Sequence, residues 1–401
     1  MVSRLSVAIV HDWLAALGGA ERVLGEILDL YPDADIFTVV DVLPPEQRGF
    51  LRGRPVKTSF IQNLPFVARH YRHYLPLMGF AVEQFDLSNY DLVISSSFAV
   101  AKGVLTGPDQ VHVSYVHSPM RYAWDLQHRY LATAQLEHGL KSFLARWLLH
   151  KMRIWDVRTI NGVDRFIANS HFIARRIRRV YGRPSLVIYP PVDLDRFKPV
   201  ARKDDYYVTV SRLVPYKRVD LIASAFAAMP ERRLVIVGDG PEMQRVKAAA
   251  GAAAGANIEI MGYQPDDVVR DLMSHARAFV FAAEEDFGIT AVEAQACGTP
   301  VILYGKGGGL ETVRGQGTSN PTGIFFQHQT PESLIAAVEA FESLTPGPSA
   351  AACRANAEHF SPERFRERFT FVVECELARL KAELAAADGP KEVPVPETLV
   401  A

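Results

Sequence analysis

Cysteine is scarce in this chain: Cys297, Cys353 and Cys375 are the three among 401 residues. An odd, scattered set suits neither a disulfide framework nor a cysteine metal cluster, and a reducing cytoplasm is the expected location. Long hydrophobic runs are lacking too. No segment approaches the roughly 18 uninterrupted apolar residues of a spanning helix, so any membrane contact is expected to be peripheral. The short apolar run at the N-terminus is broken by His11 and Asp12 where a signal peptide would continue, and it reads as a first buried strand. Nor is there an excess of one charge. Lys plus Arg number 44 against 45 Asp plus Glu, which removes the global electrostatic case for nucleic acid as partner.

What is present is alternation. Short β-branched or aromatic runs at 5–10, 35–39, 91–95, 111–116, 165–168 and 186–189 are separated by longer helical patterns. The pattern restarts after the proline-rich stretch 189–199, with runs at 206–210, 233–237, 258–261, 278–282, 300–303 and 323–326. Such alternation means βαβ units and parallel sheets buried on both faces. The expected fold class is therefore α/β, with two doubly wound, Rossmann-like domains facing a central cleft. A core stops growing at roughly 250 to 300 residues, which also favours two domains. The expected bounds are 1–195 and 196–361, with a helix at about 362–385 packing back on the first domain and a disordered tail at 386–401.

The densest chemistry lies in Ala283-Glu284-Glu285-Asp286-Phe287-Gly288-Ile289-Thr290-Ala291-Val292-Glu293-Ala294. An apolar strand precedes it, Gly288 permits a tight turn, and a helix is expected from about Thr290. Free amides and the positive end of that helix would favour an anion. Glu285 and Glu293 flank the turn from different faces, suited to hydroxyls on two sides of one ligand; the plainer reading is a charged helix start and a solvated acidic loop. Arg212 and Lys217 follow the first strand of the second domain and can clamp a diphosphate, Arg212 by its fork and Lys217 as a point charge; alone they would read as a solvated basic turn. Gly18 and Gly19 lie between the first strand and its helix, where glycine allows close backbone approach to phosphate or sugar. The full Gly-x-Gly-x-x-Gly dinucleotide fingerprint is missing there.

Together these pieces resemble glycosyltransferase family 4, the retaining enzymes of GT-B architecture that use nucleotide-activated sugars. Glu285 to Glu293 match that family's Glu-x7-Glu motif. Cys297-Gly298-Thr299-Pro300-Val301, Val237-Gly238-Asp239-Gly240-Pro241, Ser211-Arg212-Leu213 with Lys217, Asn169-Ser170 and Gly18-Gly19 fall in the family's order. The resemblance implies that Arg212 and Lys217 hold the donor diphosphate, and that Glu293 binds the ribose. It implies that Glu285, with the amides around Phe287, Gly288, Ile289 and Thr290, holds the hexose. Tyr263 falls where the family reads the base, and His117 where it keeps a histidine beside the sugar. Asp286 and Arg218 stand where the family usually has glycine; Asp286 receives no role.

His117 to Asp125, with His11-Asp12-Trp13 and the Gly18 loop, is most similar to the mannosyltransferase-type members of O-antigen and exopolysaccharide biosynthesis. This implies GDP-mannose as donor and a polyprenyl-diphosphate-linked saccharide as acceptor, with Asp12, Trp13, Arg121 and Tyr122 on the acceptor side. No metal or other cofactor is expected: Asp33 with Asp35 and Asp193 with Asp195 read as turn and capping residues. The basic stretches Arg52–Lys57 and Arg69–Met78 are candidates for contact with anionic membrane at the inner face of the cytoplasmic membrane. The stretch Phe172–Tyr181 is a third, better read as a helix with a solvated basic face. Rival readings are a nucleotide-sugar epimerase or hydrolase on the same fold, and a catalytically silent sugar-binding or scaffold protein.

Overall fold

The computed structural model describes residues 5–387. The first-half strands are β1 Val7–His11, β2 Asp35–Thr38, β3 Val56–Thr58, β4 Leu92–Ser97, β5 Val111–Val116, β6 Arg165–Ala168 and β7 Leu186–Val187. The second half has β8 Tyr207–Val210, β9 Leu234–Val237, β10 Ile258–Gly262, β11 Ala278–Phe281, β12 Val301–Tyr304 and β13 Gly323–Phe326. All pairings are parallel, in one sheet of order β3-β2-β1-β4-β5-β6-β7 and a second of order β10-β9-β8-β11-β12-β13. The molecule is thus α/β with two doubly wound sheets.

Every residue of β1, β4, β5, β9, β11 and β12 is buried, because helices cover both faces. That is why β9, β11 and β12 read as unbroken apolar runs rather than alternating ones, whereas β4 and β5 bury Ser95, Ser96, Ser97, His112 and Ser114 within theirs. The short edge strand β3 escapes that signal, since its Val-Lys-Thr sequence is only partly buried. It overlaps the basic stretch Arg52–Lys57, whose cations make contacts within their own domain. Arg52 pairs with Asp29 at 2.7 Å, Arg54 donates to the Leu28 carbonyl at 3.0 Å, and Lys57 pairs with Asp35 at 3.1 Å.

The helix Pro362–Ala387 buries Phe365, Phe369, Val372 and Val373 in one core with Ile9, Ile94, Val113 and Tyr115. The chain crosses from the first sheet to the second at Pro190–Val192 and returns near Phe360, and the two crossings are tied by Val192 N–H donating to the Phe360 carbonyl at 2.8 Å. Of the expected tail, residues 386 and 387 continue this helix; the remainder lies outside the described residues.

Candidate active site

In each sheet the chain reverses its direction of growth beside its first strand, where β1 meets β4 and β8 meets β11. Loops leaving the carboxyl ends of such neighbours diverge and open a crevice. Here the two crevices face each other across a cleft of about 510 Å³, within the range that holds small-molecule ligands. Gly19, Arg72, Phe98, His117, Arg121 and Tyr122 line it from the first domain; Tyr216, Lys217, Phe281 and Glu285 to Thr290 line it from the second.

The acidic loop is shaped by glycine. Gly288 has φ 89°, in the left-handed region where a side chain is strained, and the helix Ile289–Ala296 starts immediately after it. Beneath the loop runs Gly307-Gly308, after β12. A Cβ at Gly308 would sit 2.0 Å from the Asp286 carbonyl oxygen, so only glycine lets the two backbones approach. The Gly308 N–H donates to the Glu285 carbonyl at 2.7 Å. Sequence reasoning passed over this brace, although Gly305-Lys306-Gly307-Gly308-Gly309 directly after an apolar run is a readable signal of close backbone approach.

The crowd of acids is resolved by cations from three directions. Glu285 pairs with Lys217 within the second domain. Buried Glu293 pairs with Arg22 of the first domain, and that negative charge, ahead of all other influences, raises the Arg22 pKa further. Asp286, also buried, is held by Arg121 and, at 3.3 Å, by Arg176. Ser170 Oγ donates to the Asp286 carbonyl at 2.5 Å. Asp286 therefore has a place that the sequence did not disclose: it joins the domains. Glu311 does likewise, accepting from the His171 and Phe172 amides at 2.7 and 2.8 Å, the first free N–H groups of the helix His171–Tyr181. A carboxylate there complements the positive helix end.

On the first-domain wall, His117 Nε2 lies 2.9 Å from Ser96 Oγ, which lies 3.0 Å from His11 Nδ1. His11 Nε2 is 3.5 Å from Glu21 Oε1, and Glu21 Oε2 accepts the Gly18 N–H at 2.9 Å. His117, Ser96 and His11 thus form one hydrogen-bonded chain, and Glu21, in turn, ties to the glycine loop; His11 Nε2 itself has no hydrogen-bond partner among the described residues. Burial first, and the charge of His11 second, push the His117 pKa down to about 3. At neutral pH it is an uncharged imidazole, able to donate or accept but not to serve as a cation.

Residues 17–196 match the family model for Glycosyltransferase Family 4, and residues 192–360 match that for Glycosyl transferases group 1. The two matches meet at the crossing between the sheets, so each half of the chain is similar to one of these glycosyltransferase domains. The D-inositol 3-phosphate glycosyltransferase of Geodermatophilus obscurus is 33% identical over 240 residues, 53% of this chain and 52% of that protein. The protein of the same name from Mycobacterium bovis is 30% identical over 184 residues, 40% of this chain and 38% of that one. The chain thus spans about half the length of the first relative, and less of the second. Among solved structures, Anabaena HepE in complex with UDP matches with a TM-score of 0.68 at 18% identity, over 92% of this chain and 100% of that one. Sucrose-phosphate synthase from Thermosynechococcus elongatus matches with 0.63 at 20% identity, over 96% and 100%. These likenesses establish the GT-B arrangement of the two Rossmann-like domains.

Several expected site residues stand away from the cleft lining. Asp12 is fully buried, and its carboxylate accepts four backbone N–H groups, from Phe98, Ala99, Val100 and Ala101, at 2.5 to 2.9 Å. That corrects its assignment to the acceptor side: its lone pairs are spent on shaping the loop after β4. Trp13 packs edge-on behind Phe98, with ring centroids 4.7 Å apart, and so backs the wall. Arg212 and Tyr263 are exposed and are not among the residues that line the cleft. Gly18 lies one residue outside it, while at Gly19 an added Cβ would meet the Ile289 side chain at 2.7 Å. Tyr122 lines the cleft, but its hydroxyl is buried and has no hydrogen-bond partner among the described residues. Among those residues no group of three or more His, Cys, Asp or Glu is set to hold a metal ion. Asp35 instead accepts from Tyr90, and Asp193 from the Asp195 amide.

Proposed function

We propose that the chain is a retaining hexosyltransferase that uses a nucleotide-sugar donor. The observation that carries this reading is the meeting of Lys217, Glu285 and the start of the helix Ile289–Ala296 on one cleft at both topological switch points. A cation, a carboxylate and a set of oriented amides are what a diphosphate sugar needs. Lys217 faces the diphosphate and stabilises the charge that grows as the glycosyl bond breaks, with Arg212 swinging in from the rim. Glu285 and the amides of Phe287 to Thr290 hold the hexose, Glu293 takes the ribose, and Tyr263 lies beside the base. Neutral His117 hydrogen-bonds a sugar hydroxyl. Arg121 and Tyr122, both on the cleft wall, face the acceptor.

The donor proposed is GDP-mannose, on the resemblance of the His117–Asp125 segment, and the acceptor a polyprenyl-diphosphate-linked saccharide of a bacterial surface polysaccharide. Synthesis at the inner face of the cytoplasmic membrane follows from such an acceptor. The names of the relatives favour a second reading for the acceptor, an inositol phosphate, since they are 30–33% identical over the aligned part. The test is nucleotide release from GDP-mannose, UDP-glucose and UDP-N-acetylglucosamine, each with a lipid-linked saccharide, with D-inositol 3-phosphate and with no acceptor. Release from GDP-mannose stimulated by the lipid-linked acceptor supports the proposal. A response to UDP sugars alone overturns the donor, and equal release without acceptor points to the hydrolase or epimerase.

A further inference from the structure

The helix Gly139–Arg158 carries its apolar stripe on the side away from the core. Leu140, Phe143, Trp147, Ile154 and Val157 recur at helical spacing, yet they are 82%, 67%, 47%, 52% and 39% exposed. The positions it buries are Ser142, Met152 and Asp156. An amphipathic helix in water ordinarily turns such a stripe inward, and a contiguous exposed apolar surface of this kind marks an interaction site.

Its neighbour has the same character. The helix Leu75–Val82 packs against it at Gly79, where a Cβ would meet the Trp155 ring at 2.8 Å. The segment leading into and along that helix exposes Phe66, Leu77 and Phe80 at 79%, 44% and 57%. Charge on both segments is of one sign. There is no acidic residue between Glu46 and Glu83, or between Glu137 and Asp156, and Asp156 is buried in an ion pair with Lys102 at 2.7 Å. Exposed Arg69, Arg72, Lys141 and Lys151 stand among the apolar groups.

We infer that the helix Gly139–Arg158, together with the adjoining segment 66–82, docks on an anionic lipid surface. Aromatic and aliphatic side chains would enter the boundary of the acyl region while the cations meet the headgroups. A second copy of the chain fits less well, because a two-fold contact would set Lys141 and Lys151 against their own counterparts with no acid to offset them. Arg72 also lines the cleft, so the lipid-facing segment is continuous with the site. The purpose of docking rests on the proposed lipid-linked acceptor; the surface itself does not.

The test is sedimentation of the full chain with phosphatidylglycerol vesicles and with phosphatidylcholine vesicles, at low and at high salt. Binding to the anionic vesicles that falls with salt is expected. Phe143→Glu with Trp147→Glu should lower partition by about tenfold or more, and Lys141→Glu with Lys151→Glu by about fivefold per cation. Phe371→Glu, at an exposed position on the C-terminal helix, should bind as the parent does. Failure of the parent to sediment with anionic vesicles at low salt overturns the inference, as does parental binding by both double variants. So does a vesicle-independent dimer that the Phe143→Glu, Trp147→Glu variant dissolves. Nucleotide release with a water-soluble acceptor reports on the catalytic reading separately. Turnover without vesicle binding removes only the docking, and vesicle binding without turnover removes only the catalysis.

Discussion

Asp286→Asn isolates what holds the two domains against each other. The carboxylate is buried and serves two guanidinium groups of the first domain, Arg121 and Arg176, whose side chains are 22% and 11% exposed. Asparagine keeps the shape and removes the charge. Arg176 retains Asp125, whereas Arg121 is left with Ser118 Oγ at 3.4 Å and the Tyr216 ring at 5.9 Å. Breaking a fully buried pair costs roughly 3–5 kcal/mol. Partial exposure and the surviving Asp125 contact bring the figure down to about 2 kcal/mol, or roughly thirtyfold in the equilibrium between joined and separated domains. Small-angle scattering should show a larger radius of gyration, and donor turnover should fall in kcat/KM, with little change in the thermal unfolding of either domain. If the scattering profile and kcat/KM both match the parent, Asp286 is not a domain tie and the reasoning fails.

Lys217→Ala should lower donor turnover by about 10²–10³-fold, and Arg212→Ala by less, because its side chain starts exposed; equal turnover in Lys217→Ala and the parent would remove the diphosphate role. Glu293→Gln should weaken nucleotide binding by roughly tenfold by calorimetry, and unchanged affinity would count against the ribose role. Burial depresses His112 to a pKa of about 4 and His117 to about 3. Below the usual value of about 6.5 the unfolded chain therefore binds more protons than the folded one, and stability should drop by up to about 1.4 kcal/mol per pH unit for each histidine as pH falls. Thermal unfolding at descending pH checks this, and a flat profile between pH ~6.5 and ~5 would contradict it.

Much of this molecule could be read from local pattern, and what could not has a common cause. Parallel strands covered on both faces leave unbroken apolar runs, so β9, β11 and β12 announced themselves, as did the turn at Gly288. The charged edge strand β3 carried no such run. The helix Gly139–Arg158 shows why periodicity alone says little about direction: the stripe of Leu140, Phe143 and Trp147 looks the same in sequence whether it meets a core or a solvent-facing partner. The pairing of the acids was beyond reach for another reason. Arg22 and Glu293 are 271 residues apart, and Arg121 and Asp286 are 165 apart, so nothing near either partner encodes the contact. Glu293 nevertheless has a consequence for function. The carboxylate proposed to receive the ribose is held by a first-domain cation, so a nucleotide that takes Glu293 must compete with Arg22. Donor binding and the contact between the domains therefore draw on the same carboxylate.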